Sequence, residues 1–348
     1  MARRGAARLT LRLAIGLAVA AATLWLTYRR TDLEALGRAL AQSDWPWLAA
    51  VLPLLALSYV LRIVRWRILL SPLGGVSFRV ASGPLLSGFM INSLLPGRVG
   101  EVARALLLSR KTGISRASSM ATVVLARLFD GLTLTAFTLL VLLSSWESFS
   151  PGVRLGLAGA GVMYLAVLGV LLALRMWHER AAAVVARPFG MISSALAERV
   201  ESILISFSEG LEVLRSTREV VQVALLSGGV WLSLALSTVP ALLSLRMEVA
   251  PLLPFLILVL AAFGMLIPTP AGTGTVHYAV GVLLPAIAGV PDTRAKLLAI
   301  VFHASQFLPI IAAGLVAAAM EGLGAGEIGR YAEEPEPRET LTDPPKRS

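Results

Sequence analysis

The chain contains no cysteine. That excludes a disulfide framework, a thiolate nucleophile and any cysteine-ligated metal site. Histidine is nearly as scarce: His178, His277 and His303 are the full set, at no spacing that suits a zinc site. No metal site is expected. Charge is scarce too. Asp, Glu, Lys and Arg make up 15% of 348 residues, against about 25% in a soluble domain. Most of the chain lacks the polar face that a helix needs at a water interface. A secreted enzyme, a cytosolic metabolic enzyme and a nucleic-acid-binding domain are therefore excluded, despite a net charge of +10. Walker A, G-x-S-x-G and H-E-x-x-H motifs are missing. No cofactor is expected, and the sequence does not read as an enzyme.

Apolar sequence is plentiful, at 56% of residues. A membrane-spanning helix needs about 20 apolar residues. Stretches 11–28, 45–61, 119–143, 153–174, 220–243, 249–267 and 297–319 are candidate spans. Two further stretches, 80–95 and 272–290, adjoin Pro96-Gly97 and Pro268-Thr269-Pro270. Breaks at membrane depth are tolerated where protein or a wet cavity satisfies the freed backbone. The expected fold is an all-α polytopic membrane protein. It would have about 7–8 transmembrane helices and two re-entrant, Pro/Gly-broken segments near 80–108 and 268–290.

Basic residues gather on cytoplasmic loops. Residues 1–12 hold four arginines and no acid, so the first span reads as uncleaved with a cytoplasmic N-terminus. Residues 62–116 hold nine basic residues against Glu101 alone, which suits a hairpin dipping in from the cytoplasm. Within them, Arg62, Arg65, Arg67 and Trp66 read mostly as an anchor at headgroup level. Residues 175–218 read as an amphipathic cytoplasmic linker. The membrane domain covers 1–320 and carries +13, while 321–348 carries −3 and reads as a disordered acidic tail. The destination is the cell membrane.

The two broken segments match when Pro96 is laid on Pro270, which also pairs Gly100 with Gly274. At a nearly equal offset Arg127 falls on His303 and Asp130 on Gln306. Duplicated halves with broken helices are a transporter design, with substrate near the midplane. The handedness of this repeat is open.

The first segment has the makings of a phosphate seat. A helix opening at 97–100 offers free N–H groups, Gly97 and Gly100 admit a ligand, and Arg98 and Arg104 add charge. Asn92 can hydrogen-bond the same ligand, and Glu101 can orient Arg98 and Arg104. Arg127 and Asp130 share a helix face within an apolar stretch. Intramembrane charge costs about 2.5–3.5 kcal/mol per residue, so the pair either lines a polar path or ties packed helices together. In the second segment Pro270, Gly272, Gly274, His277, His303 and Gln306 are candidates on the same logic, with structural roles equally open.

The string Asn92-x-x-Leu95-Pro96-Gly97-Arg98-x-Gly100-Glu101-x-x-Arg104, followed by Gly113-Ile114-Ser115 and Arg127-x-x-Asp130, resembles the flippase-like integral membrane domain of lysylphosphatidylglycerol synthases. Ile267-Pro268-x-Pro270-x-Gly272-x-Gly274 resembles that family's second motif, with Ala271 in place of a glycine and His277 near where an acid usually stands. The resemblance covers roughly residues 10–320. It implies movement of a polar lipid headgroup between leaflets, with a phospholipid or lipid-linked substrate as partner. The other reading is a non-transporting scaffold for a lipid- or glycan-modifying enzyme.

Overall fold

The computed structural model describes residues 2–95, 98–144, 151–176, 178–191 and 216–323, with scattered positions between 193 and 201. Among them every regular element is helical. In lipid a backbone must satisfy its own polar groups, and a helix does this within one segment. The acidic tail from 324 on, residues 202–215 of the linker and the Pro96-Gly97 pair lie outside the described residues.

Helix α1 (Ala2–Tyr28) is followed by the short α2 (Leu33–Ala41), capped by the Asp32 carboxylate, which accepts the Glu34 and Ala35 N–H groups. α3 (Trp45–Ala49) and α4 (Val51–Leu70) make one apolar run continuing to Leu73. α5 (Phe78–Leu94) and α6 (Val99–Thr112) come next, then α7 (Arg116–Ser144), α8 (Pro151–Met176) and α9 (His178–Gly190). α10 (Thr217–Ser244) and α11 (Leu253–Gly264) follow. α12 is composite: Thr275–Tyr278, a π-helical turn at Ala279–Leu283, and Leu284–Ala288. α13 (Asp292–Met320) closes the bundle. Among the described residues, five stretches are long and apolar enough to cross a membrane: Trp45–Leu73, Ser118–Ser144, Thr217–Ser244, Pro270–Ala288 and Asp292–Met320. The chain is a multi-pass membrane protein.

The sequence suggested a full span over 249–267. The structure places there the 12-residue α11, about 18 Å long against a hydrocarbon core of about 30 Å. Its apolarity has another cause. Leu253, Leu256, Ile257, Val259, Leu260 and Ala261 are all buried in protein, and a helix that is apolar all round belongs in a core.

Helices α5 and α6 form an antiparallel hairpin about the 95–98 break. A Cβ on Gly100 would stand 1.9 Å from the Gly88 carbonyl oxygen, and one on Gly88 would stand 2.8 Å from the Arg104 Cβ. These positions must lack side chains for the arms to touch. α11 and α12 form a second hairpin about 265–274, where a Cβ on Gly264 would lie 2.9 Å from the Thr275 carbonyl oxygen.

α13 shows how the hairpins are disposed. Beyond its last turn, Glu321 pairs with Lys111 at the base of the first hairpin, 2.5 Å away. Arg294, in its first turn, lies with Met247, Gly289 and Val290 around a recess at the base of the second. The hairpin bases thus sit at opposite ends of α13, and the 270–272 turn packs on α5 in between. α4 and α10 pack antiparallel: Asp44 N–H donates to the Ser244 carbonyl at 2.8 Å, and Arg65 donates to the Ser227 hydroxyl at 2.7 Å.

Candidate functional site

The polar centre of the bundle is built around Asp130, a turn below Arg127 on α7. Asp130 Oδ1 accepts Arg65 Nη1 at 2.7 Å and the Trp231 indole N–H at 3.0 Å. Oδ2 accepts Arg127 Nη1 at 3.2 Å and Arg62 Nη1 at 3.4 Å. The second bond partner of Arg127 is Glu101 on α6, whose Oε1 lies 2.8 Å from Nε. Arg104 stacks its guanidinium 3.6 Å above the Trp66 ring, and the Trp66 N–H donates to Thr122 Oγ1 at 2.9 Å. Phe89 faces the guanidinium groups of Arg62 and Arg127 at 5.1 and 5.3 Å.

The charge of this centre does not balance. Arg62, Arg65, Arg104 and Arg127 face two carboxylates, Asp130 and Glu101. The Nε atoms of Arg65 and Arg104 are buried without a hydrogen-bond partner. A buried cation is costly unless an anion and hydrogen bonds compensate it. Surplus guanidinium with spare donors is chemistry suited to a phosphate.

Two of these arginines were expected at the headgroup level. Instead Arg62 is 7% exposed, Arg65 2% and Trp66 0%. The helix face decides it: 62 and 65 are three apart and turn inward toward Asp130, while Arg67 turns aside and donates from Nε to the Val76 carbonyl at 2.8 Å. That spacing was the available signal, together with the polar Ser58 one turn earlier on the same face. Trp231 and Ser227, four apart on α10, carried no comparable mark.

At the first hairpin tip Arg98 is exposed, adopts a left-handed conformation with φ 57° and ψ 30°, and makes no ion pair among the described residues. Asn92 and Gly100 serve the backbone here. Asn92 Oδ1 accepts the Gly100 N–H at 2.8 Å, occupying one of the donors expected for a ligand, and Gly100 abuts α5. Glu101 was expected to orient Arg98 and Arg104; it pairs with Arg127 because its side chain faces α7. Gly97 lies outside the described residues.

The second tip is neutral. Pro270 begins a tight turn in which Ala271, Gly272 and Gly274 have φ of 53°, 70° and 81°. The imidazole N–H of His303 donates to the Ala271 carbonyl at 3.1 Å. His277 accepts the Gly274 N–H at Nδ1, 3.4 Å away, and its ring lies 4.6 Å from that of His303. Gln306 donates to the Ser237 hydroxyl at 3.0 Å, and the hydroxyls of Thr269 and Thr275 meet at 3.3 Å. α1 closes the flank, since a Cβ on Gly274 would strike Thr23. The structure therefore joins Arg104, Arg127, Asp130 and Glu101 to Arg62 and Arg65 in one cluster, and Pro270, Gly272, Gly274, His277 and His303 in another. Gln306 joins α13 to α10, and Arg98 stands apart at a tip. Among the described residues no group of three acidic or histidine side chains could hold a metal.

The family model for the lysylphosphatidylglycerol synthase TM region matches residues 13–314. Glycosyltransferase AglD of Haloferax volcanii is 26% identical over 311 residues, covering 79% of this chain and 49% of that protein. UPF0104 membrane protein MJ1078 of Methanocaldococcus jannaschii is 25% identical over 230 residues, covering 65% of this chain and 92% of that protein. The chain spans about half the length of the first relative and most of the second. No solved structure matches.

Proposed function

Because the chain belongs to the lysylphosphatidylglycerol synthase TM region family, we propose that it moves a phosphate-bearing lipid headgroup between the leaflets of the cell membrane. The observation that carries this reading is the surplus of buried guanidinium over carboxylate, with Arg98, which makes no ion pair among the described residues, at the end of the broken helix. A phosphate passing from Arg98 to Arg104 supplies the missing negative charge. Arg127 and Asp130 line the way inward.

The two hairpins act as an inverted pair that enters from opposite faces. α7 and α13 each have 29 residues, with Arg127 and His303 at the same place in each. α4 and α10, which precede the hairpins, run antiparallel, as halves related by a two-fold axis in the membrane plane would. The N-terminus and the end of α13 both lie on the cytoplasmic side, where the basic residues of 62–116 cluster. The protein performs no covalent chemistry of its own.

The test is transport by pure protein in liposomes, with a fluorescent anionic phospholipid quenched from outside. The protein should accelerate exchange between leaflets, and Arg98→Ala should slow it at least tenfold while the protein stays folded. Unchanged exchange in Arg98→Ala would remove that residue from the path; no protein-dependent exchange would remove the function. One observation favours a second reading, a membrane subunit serving a lipid- or glycan-modifying enzyme: the chain aligns with part of a longer relative named a glycosyltransferase. That reading expects co-purification with a transferase and no exchange by the pure protein.

A further inference from the structure

Resting on the transport reading above, we propose that the transported headgroup is net negative, a phosphate extended by an uncharged hydroxylated group, and that a cationic aminoacylated headgroup is not a substrate. The two tips differ in chemistry in the way such a headgroup requires. The first offers cations alone. Its carboxylates are already held, Asp130 by Arg62, Arg65 and Arg127, and Glu101 by Arg127. An incoming ammonium would meet Arg98, which has no ion pair among the described residues, and the spare donors of Arg104 and Arg65, and like charge at short range in a low dielectric repels strongly.

An ammonium can also be held by aromatic faces. Here those faces are taken. Trp66 carries Arg104, Phe89 carries Arg62 and Arg127, and Trp231 lies 5.8 Å from the Arg62 guanidinium. The ring of Tyr59 meets Phe89 edge-on at 5.3 Å.

The second tip then sets the other half of the headgroup. The 270–272 turn packs on α5, the helix that leads to Arg98. Around that turn stand His277, His303, Thr269, Thr275 and, deeper, Gln306 with Ser237. These are neutral donors and acceptors. Hydroxyl groups match them, because a hydroxyl both donates and accepts; among the described residues that surround the turn, neither a carboxylate nor an ammonium finds a counter-charge. A phosphate next to a glycerol and a phosphate next to a sugar share this chemistry.

The experiment reconstitutes the full chain in neutral phosphatidylcholine liposomes with one fluorescent lipid at a time. The three lipids are phosphatidylglycerol, lysyl-phosphatidylglycerol and a glycosyl polyprenyl phosphate. Protein-dependent exchange should be at least tenfold faster for one or both anionic lipids than for the lysyl lipid, and the faster of the two identifies the source of the phosphate. Unlabelled anionic lipid should compete with the labelled one, and unlabelled lysyl lipid should not. Exchange of the lysyl lipid as fast as the anionic ones overturns this proposal and leaves the transport reading standing. Exchange of none of the three overturns both. His303→Glu adds a second arm, since a carboxylate at the neutral tip should raise the relative rate of the lysyl lipid several-fold; an unchanged ratio in a folded variant removes the second tip from selectivity.

Discussion

The first hairpin break, at 95–98, is followed by Glu101 and Arg104 and faced from α7 by Arg127 and Asp130. The second, at 265–274, is faced from α13 by His303 and Gln306. Both bring two arms within glycine contact, and both turn the chain with left-handed residues. The second achieves this with hydrogen bonds to its own carbonyl and hydroxyl groups. A break of this kind therefore does not need charge to persist, and the charge at the first must have another cause. Apart from Arg98, residues that hold the turns and residues that hold the charge are separable.

The sharpest way to break the comparison is at Asp130. Asp130→Asn removes the charge that buried Arg62 and Arg65 share with half-buried Arg127, and a buried charge left unpaired costs about 3–5 kcal/mol. Its apparent melting temperature in detergent should fall furthest of the variants considered, with Gln306→Leu, its counterpart, falling far less. Equal losses would mean that the two centres are energetically alike. Next come the glycine contacts. Gly100→Ala forces a methyl against the Gly88 carbonyl at 1.9 Å, whereas Gly264→Ala meets backbone at 2.9 Å. Overpacking typically costs about 1–3 kcal/mol, and thermal denaturation should rank Gly100→Ala as the worse of the two. Asn92→Ala removes the acceptor of the Gly100 N–H and should cost about 1 kcal/mol, as loss of a helix cap does; hydrogen exchange at Gly100 should rise. Smallest of all is Arg98→Ala. An exposed side chain without an ion pair should change stability by no more than about 0.5 kcal/mol, and a large drop in melting temperature would show that Arg98 holds the fold.

Much of this was legible from residue order. Pro96-Gly97 and Pro270 mark both breaks, and Arg127 and Asp130 stand out because charge inside an apolar run is rare. The lengths of the helices were less legible. Hydropathy cannot tell a lipid-facing helix from one wrapped in protein, so α11 reads as a span until its neighbours are seen. The partners of Asp130 were harder still. Arg62 and Arg65 lie 68 and 65 residues away in sequence, near the end of an apolar run where arginine ordinarily meets headgroups. Only the packing of α4 against α7 and α10 turns them inward. For the same reason Glu101 was assigned to its neighbours in sequence when its partner lies on the next helix.

The left-handed backbone at Arg98 has a consequence for engineering. Glycine adopts φ 57° without hindrance, while a residue with a Cβ loses about 1–2 kcal/mol there. An arginine at this position thus retains a charge at the expense of an easier turn. Arg98→Gly should relax the tip and silence it together, yielding a sturdier and inert protein. Arg98→Lys keeps both the tension and the charge but loses the planar fork. Between them these two substitutions separate what the tip needs to fold from what it needs to grip.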